Sequence, residues 1–289
     1  MSVAEIDKTA LNDVALVLQK AFNDGDPEHI KKAINILTGA VRHLSPAKCV
    51  RADRIKIPET FYKFLSTGLG WLDEIFGGGF RRQELIIIGG APHEGKTHLL
   101  SFLSSCYLIE GYTVLHFNGE DLISDIMKIY ELALTKDDQL ERLYVVDITE
   151  AKFDSHSIDA VLADLAEEKI KVDVVVVDHI DIMQGSGEGA DWLSVSETTR
   201  QLRFLAKKYD IIMLTGSQLN FRSDTSPRGM GRFFRSKVGK ASHADVVWMI
   251  HEAYDDHLVM ELNKARGRKI RFRKSTLNVD YDKMVIKKG

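Results

Sequence analysis

Gly90-Ala91-Pro92-His93-Glu94-Gly95-Lys96-Thr97 spells G-x-x-x-x-G-K-[ST], and the residues around it decide what it means. The apolar run Leu85-Ile86-Ile87-Ile88 precedes it, and His98-Leu99-Leu100-Ser101-Phe102-Leu103 follows. A buried strand thus delivers the chain to a tight glycine turn whose backbone N–H groups face one concavity, and the next helix points its positive end there. Such a turn cradles the phosphates of a nucleoside triphosphate. Lys96 reaches the β- and γ-phosphates, and the Thr97 hydroxyl ligates Mg²⁺. The expected nucleotide-binding segment is therefore Gly90, Ala91, Pro92, His93, Glu94, Gly95, Lys96, Thr97 and His98. An ordinary strand-to-helix turn is the plainer alternative.

Length and composition frame this motif. A chain of 289 residues suits one large α/β domain, alone or with a small appendage. Hydrophobic residues at 44% and charged residues at 28% are normal for a soluble globular protein. A net charge of -3 offers no global attraction to nucleic acid, so any such surface must be local. Cys49 and Cys106 fit no metal or disulfide pattern, and a reducing cytoplasm is the expected location. Met1-Ser2-Val3-Ala4-Glu5 lacks the basic start of a signal peptide, and no apolar run approaches the ~20 residues of a membrane span.

Along the chain, Ile6, Leu11, Val14, Leu18 and Phe22 predict an amphipathic helix over residues 4–22. Asn23-Asp24-Gly25 is expected to break it, and Asp26-Pro27 supplies an N-cap with proline at the first helical position. A second helix through Ile30, Ala33, Ile34, Leu37, Val41 and Leu44 stops before Pro46. The domain reading is a helical hairpin over 1–45, a linker over 46–63 and an ATPase domain over 64–289. The hairpin is too small to hold a large core. Its apolar faces pack on the main domain or on another subunit, or it is a simple N-terminal embellishment.

From Phe64 the pattern alternates. Strands are predicted at Glu84–Gly89, Thr113–Phe117, Leu143–Asp147, Val172–Asp178, Ile211–Ser217, Val246–Glu252, Leu258–Lys264 and near Leu277–Tyr281. Helices are predicted at about 96–110, 121–135, 156–168 and 190–209. Continuous apolar strands such as Val174-Val175-Val176-Val177 indicate a parallel sheet covered on both faces. The later, closely spaced strands indicate an antiparallel extension. The fold class is α/β with a mostly parallel central sheet.

Several polar positions at strand ends carry the chemistry. Asp178 closes the valine strand, where a carboxylate overhangs the ligand crevice and can hold Mg²⁺ through a bound water; capping the next helix is the other reading. Asp181 is a weaker, outer candidate. Glu120, in Asn118-Gly119-Glu120-Asp121, can polarise the water that attacks the γ-phosphate, with Asp121 as the fallback. A helix-start acid favoured by the dipole would look the same. Gln218 ends another strand, placed to sense the γ-phosphate and report it to the loop that follows.

That loop holds Arg222, Arg228, Arg232, Arg235, Lys237 and Lys240 against one acid, Asp224, with Phe221, Phe233 and Phe234 interspersed. Cations interleaved with aromatics suit a single-stranded nucleic-acid backbone, though a solvated charged face reads alike. Lys264 and Arg266 in Asn263-Lys264-Ala265-Arg266-Gly267 lie two apart on an extended segment and so point to one side. Such a pair can stabilise charge on a transferring phosphoryl group or can form a basic hairpin turn.

Together these segments resemble the DnaB-type hexameric replicative DNA helicases, a branch of the RecA-like ATPases, over about residues 66 to 285. Ser66-Thr67-Gly68, Leu72-Asp73 and Gly77-Gly78-Gly79 are similar to the family's segment before the phosphate loop. Asp178-His179-Ile180-Asp181-Ile182-Met183 is similar to its D-Y-L-Q-L-M Walker B segment, and Ser217-Gln218-Leu219-Asn220-Phe221 to its S-Q-L-N-R motif. Asn263 to Gly267 matches its K-x-R-x-G finger, which in the family reaches a neighbour's ATP.

The resemblance implies a RecA-like core and a ring-forming, ATP- and Mg²⁺-dependent helicase or translocase on single-stranded DNA. It implies a homo-hexamer with ATP at the subunit interfaces, and a primase or helicase loader as a further partner. Departures are His93-Glu94 in place of small residues, Phe221 in place of arginine, and the absence of the family's full N-terminal domain. A short form of this kind suits a phage or plasmid replication protein. A RecA/RadA-type recombination ATPase, or a KaiC-like or loader-type switch, are the alternatives.

Overall fold

The computed structural model describes residues 15–20, 23–24, 27–34, 64–119, 121–148, 153–183, 192–218, 242–254, 256–268 and 274–289. The chain divides into two units, Met1–Ile57 and Pro58–Gly289. In the first, residues 15–20, 23–24 and 27–34 are helical. Ala33 is buried, whereas Leu16, Leu18, Ile30 and Ile34 are exposed. Asn23 and Asp24, expected to break the first helix, are themselves helical. The Asp24 carboxylate lies 3.1 Å from His29 Nδ1, a local partner that offsets its weak helix propensity.

The second unit opens with β1 (Phe64–Leu65), α1 (Gly70–Phe76) and β2 (Phe80–Arg81), with β1 and β2 pairing as a small antiparallel sheet. The Asp73 carboxylate knots this segment together. It accepts from Ser66 Oγ (2.6 Å), Thr67 N (3.0 Å) and Thr67 Oγ1 (2.8 Å). Gly77 ends α1 in the left-handed conformation, and Gly78 N donates to Asp73 O at 2.7 Å. A methyl on Gly79 would sit 2.0 Å from Leu65 O, so only glycine lets β1 and β2 meet. None of these three elements is predicted from the sequence, because two-residue strands carry no periodicity and α1 is only about two turns long.

Then follow β3 (Leu85–Gly90), α2 (Lys96–Ile109), β4 (Val114–Asn118), α3 (Ile123–Ala133), β5 (Leu143–Asp147), α4 (Ser155–Glu167), β6 (Val174–Asp178), α5 (Trp192–Lys208) and β7 (Ile212–Gln218). β8 (Val246–Tyr254), β9 (His257–Ala265), β10 (Lys274–Asp280) and β11 (Val285–Lys288) complete the unit. The nine strands form one sheet in the order β11-β10-β9-β8-β3-β7-β6-β4-β5. From β8 to β5 every pairing is parallel, and from β8 to β11 every pairing is antiparallel. The expected architecture therefore stands, with most strand bounds met within a residue or two and β11 added.

Side chains alternate between two cores, as the two-residue strand period requires. Ile86, Ile88, Val174, Val176 and Leu214 face Leu99, Leu103 and Tyr107 of α2 and Ile126 of α3. Leu85, Ile87, Val175, Val177 and Met213 face Ile158 and Leu162 of α4 and Leu202 and Leu205 of α5. Each such side chain contributes about 1.5–3 kcal/mol by leaving water. Most residues of α2 are buried, so the phosphate loop that precedes it is anchored on a helix packed into the core. A buried Arg268 ties the chain after β9 to the first segment, donating to Phe76 O and Gly79 O at 2.8 Å and pairing with Glu84.

Candidate nucleotide site

Parallel pairing brings the carboxyl ends of β3, β7, β6 and β4 to one edge. Gly90 pairs with Gln218, and Asn118 with Asp178. This edge is where open α/β sheets bind ligands. The phosphate loop bridges β3 to α2 with His93 at φ 63° and Gly95 at φ 79°. Gly95 caps α2 without a side-chain hydrogen bond, so the first-turn N–H groups remain for a bound anion. Lys96 is buried, and its Nζ donates to Ala91 O at 2.7 Å.

His93 and Glu94 behave differently from one another. The His93 side chain is exposed. The Glu94 carboxylate folds back to accept the Ala91 N–H, and a methyl on Gly90 would lie 2.9 Å from its Oε2. Glu94 therefore braces the base of the loop, and Gly90 gives it the room.

Asp178 is buried against α2, since a methyl on Gly216 would approach its Oδ1 at 3.5 Å and Leu100 Cδ1 at 3.4 Å. The Asp178–His179 peptide is cis. Asn118, level with Asp178, is also buried; its Nδ2 donates to Asp121 O at 2.7 Å, while its Oδ1 has no hydrogen-bond partner among the described residues. Thr97 at the start of α2, Asp178 at the end of β6 and this orphaned oxygen at the end of β4 offer hard oxygens at the same edge of the sheet. Among the described residues no cluster of three His, Cys, Asp or Glu could cage a metal. Few protein ligands, with phosphates and waters supplying the rest, is how Mg²⁺ is held in nucleotide sites, so these residues fit it.

Below Asp178 lies a fully buried polar pair, His116 Nδ1 and Tyr130 OH at 2.8 Å. Burial pushes the His116 imidazole down to about 4, and burial raises the Tyr130 phenol despite nearby Ser104 and Ser101, with Asp178 adding to the rise. The pair is held neutral behind the site.

Asp181, the outer candidate, reaches the end of a neighbouring strand. Its Oδ2 accepts the backbone N–H of Gln218 at 2.7 Å and lies 3.8 Å from His179 Nε2. It joins the turn after β6 to the end of β7. Sequence reasoning missed Tyr281 altogether. Its hydroxyl would be 3.2 Å from a methyl on Gly95, and its ring meets His98 edge-on at 5.1 Å between centroids. No local signal marks it, because only the return of β10 to the sheet's carboxyl edge brings it to α2. Burial lowers the pKa of His98, against the pull of Asp121.

Lys264 and Arg266 are not at this edge. Val247 pairs with both Ile87 and Lys264, and Arg266 N donates to Asp245 O, level with Leu85. At ~3.3 Å per residue, Arg266 stands about 16 Å below Gly90 along the strands, before the sideways step across β8 and β9. A bulge between Val247 and Trp248 turns β9 beside Lys264. Lys264 Nζ and Arg266 Nη2 both point to Ser242 O, at 3.0 and 3.4 Å. Arg203 joins them through Asp245, which it binds with both Nε (2.9 Å) and Nη2 (2.8 Å). The His243 imidazole is pushed down by burial and by Arg200, Arg203, Lys264 and Arg266, so four cations converge here. Burial, with Arg266 beside it, also lowers the Lys264 ammonium.

Glu120 and the loop bearing Arg222, Arg228, Arg232, Arg235, Lys237 and Lys240 lie outside the described residues. No helix among the described residues is long and apolar enough to cross a membrane.

A family described as AAA domain matches residues 51–220. The chain is 28% identical over 162 residues to the DNA repair protein RadA of Haemophilus influenzae, covering 56% of this chain and 32% of that protein. It is 24% identical over 227 residues to the replicative DNA helicase DnaB of Helicobacter pylori, covering 69% of this chain and 46% of that one. It thus spans between about a third and a half of these relatives. A solved ATPase domain superposes with a TM-score of 0.62 at 13% identity, over 91% of this chain and 98% of its own, which bears out the RecA-like fold. With 59% of its length matched (170 of 289 residues), the chain belongs to the AAA domain family.

Proposed function

We propose that this chain is an ATP-driven, ring-forming DNA helicase or translocase whose nucleotide site is completed by a neighbouring copy. One subunit supplies the phosphate loop Gly90–Thr97, with Thr97 and Asp178 on Mg²⁺, Glu120 on the attacking water and Gln218 as phosphate sensor. The next supplies Lys264 and Arg266. Arg222, Arg228, Arg232, Arg235, Lys237 and Lys240 grip single-stranded DNA, and six copies close the ring. The supporting observation is the placement of Arg266 at the opposite end of the sheet from its own phosphate loop. A cation there cannot serve its own nucleotide and can serve a neighbour's. The match to DnaB, which extends over more of this chain than the RadA match, points the same way.

The test is complementation between two inactive variants. Arg266→Ala and Lys96→Ala are each expected to lose ATP hydrolysis, and mixing them should restore part of it, because a Lys96→Ala subunit lends its finger to an intact phosphate loop. Mixtures that stay inactive under conditions of subunit exchange would exclude a finger in trans.

The RadA similarity favours a second reading, a recombination ATPase of the same fold. Strand displacement on a forked duplex separates them. A helicase unwinds it with ATP, and a pairing protein does not.

A further inference from the structure

Arg203 and Arg266 share one carboxylate unequally. Asp245 is buried, and both its oxygens are occupied by Arg203, Oδ1 by Nη2 at 2.8 Å and Oδ2 by Nε at 2.9 Å. Oδ2 also accepts Leu85 N at 3.2 Å. Arg266 Nη1 is left 3.6 Å from Oδ1, beyond hydrogen-bond distance, and its Nη2 reaches Ser242 O only at 3.4 Å. Its side chain is 44% exposed, against 23% for Arg203. A two-pronged guanidinium–carboxylate pair is the strongest form of such a contact, so Arg203 holds Asp245 and Arg266 is held loosely.

We propose that Arg203 is a positioning residue for Arg266: by saturating Asp245 it keeps the Arg266 guanidinium available to an anion from outside this chain, the triphosphate of a neighbouring subunit. This rests on the reading of Arg266 as a finger in trans. Without Arg203, Asp245 is a buried carboxylate lacking its main partner. The nearest cation is then Arg266, which closes the remaining gap by a side-chain rotation. A neighbour's phosphates must afterwards compete with Asp245 for the finger. Arg203 thus acts on ATP hydrolysis without touching nucleotide, and its removal is cured by removing the competitor's charge.

The experiment uses three substitutions in the full chain and reads ATP turnover and ATP affinity. Arg203→Met is expected to lower turnover by about tenfold or more, the fraction of fingers left uncaptured, with ATP affinity changed less than about threefold. Adding Asp245→Asn, which retains an oxygen for Leu85 N, should return turnover to within about threefold of the unmodified chain. Mixed with Lys96→Ala subunits, Arg203→Met should be complemented as Arg266→Ala is, which a cis or merely structural role would not produce. Adding Arg203→Met to Arg266→Ala should cost nothing more.

Failure of Asp245→Asn to rescue, or a further loss in the Arg266→Ala background, overturns the proposal. Should Arg203→Met not fold, Asp245→Asn with and without Arg203→Met decides, equal turnover being expected and a further tenfold drop overturning it. Full turnover by Arg266→Ala overturns the trans reading beneath it. An inactive Arg266→Ala beside a fully active Arg203→Met overturns the Arg203 inference alone.

Discussion

The Asp181 carboxylate accepts the backbone N–H of Gln218 at 2.7 Å, three residues beyond Asp178, which is read as the metal acid. Beyond the β6–β7 ladder, this side-chain hydrogen bond ties the turn after the candidate metal-binding strand to the phosphate-sensing end of β7. Gln218 is also level with Gly90, the first residue of the phosphate loop, so a shift at either strand end reaches the other.

Replacing Asp181 tests that joint. Asp181→Ala leaves the N–H without this acceptor and lets the end of β7 drift, which should cut turnover by about tenfold to a hundredfold. Asp181→Asn keeps an oxygen in place and should stay within about threefold, since a neutral acceptor gives up only part of a charge-assisted bond. Steady-state ATP hydrolysis with and without single-stranded DNA measures both. Unchanged turnover in the alanine variant would separate Asp181 from catalysis.

Tyr281 covers Gly95 and His98 at the start of α2. An aromatic face there suits packing against the nucleoside. Tyr281→Ala should raise the KM for ATP by about five- to tenfold, corresponding to roughly 1 kcal/mol of lost aromatic contact, with kcat little altered. Tyr281→Phe should behave as the unmodified chain. A loss in kcat alone would place the ring elsewhere in the cycle.

His93 holds a left-handed backbone with an exposed side chain. His93→Gly removes strain of about 1 kcal/mol and loosens the unfolded chain by a smaller amount, so stability should rise slightly. Urea unfolding checks the direction, and nucleotide affinity should be retained.

His116 is neutral in the folded chain with a pKa of about 4, below the ~6.5 of an unfolded histidine. Its contribution is complete above pH ~6.5 and is lost as pH falls towards about 4, on the order of 3 kcal/mol across that window. Urea midpoints measured through this range should fall less steeply in His116→Gln, by the uptake of about one proton. An identical acid limb in the variant would count against the buried neutral imidazole.

Gly79→Ala drives a methyl into Leu65 O from a backbone at φ 105°. The nearest atoms are the backbone O and C of Leu65, which no side-chain rotation can clear, and a loss of about 3 kcal/mol or more is expected. Thermal unfolding measures it.

Much of this protein was legible in its residues alone. The Gly90–Thr97 loop, the apolar strand before it and the acids and amides at strand ends are local patterns. A strand must end where its apolar run ends, and a parallel sheet sends all such ends to one edge. That is why Lys96, Asp178 and Gln218 could be assigned to one edge from the residues alone. Partnerships between distant segments were not legible, because no local period encodes them. Asp181 read as an outer metal candidate, and only the β6–β7 pairing shows its oxygen on Gln218 N. Tyr281 carried no motif, and the fold of β10 puts it on the phosphate loop. Lys264 and Arg266 read from their spacing as a phosphate-facing pair or a basic turn, and only the resemblance implied a neighbour's ATP. Register alone sets them at the far end of the sheet, beside Ser242 and the Arg203–Asp245 pair. Sequence determined which groups line the strand ends, since covalent spacing and burial dictate that. Tertiary structure decided which groups meet, since that depends on strand order and register.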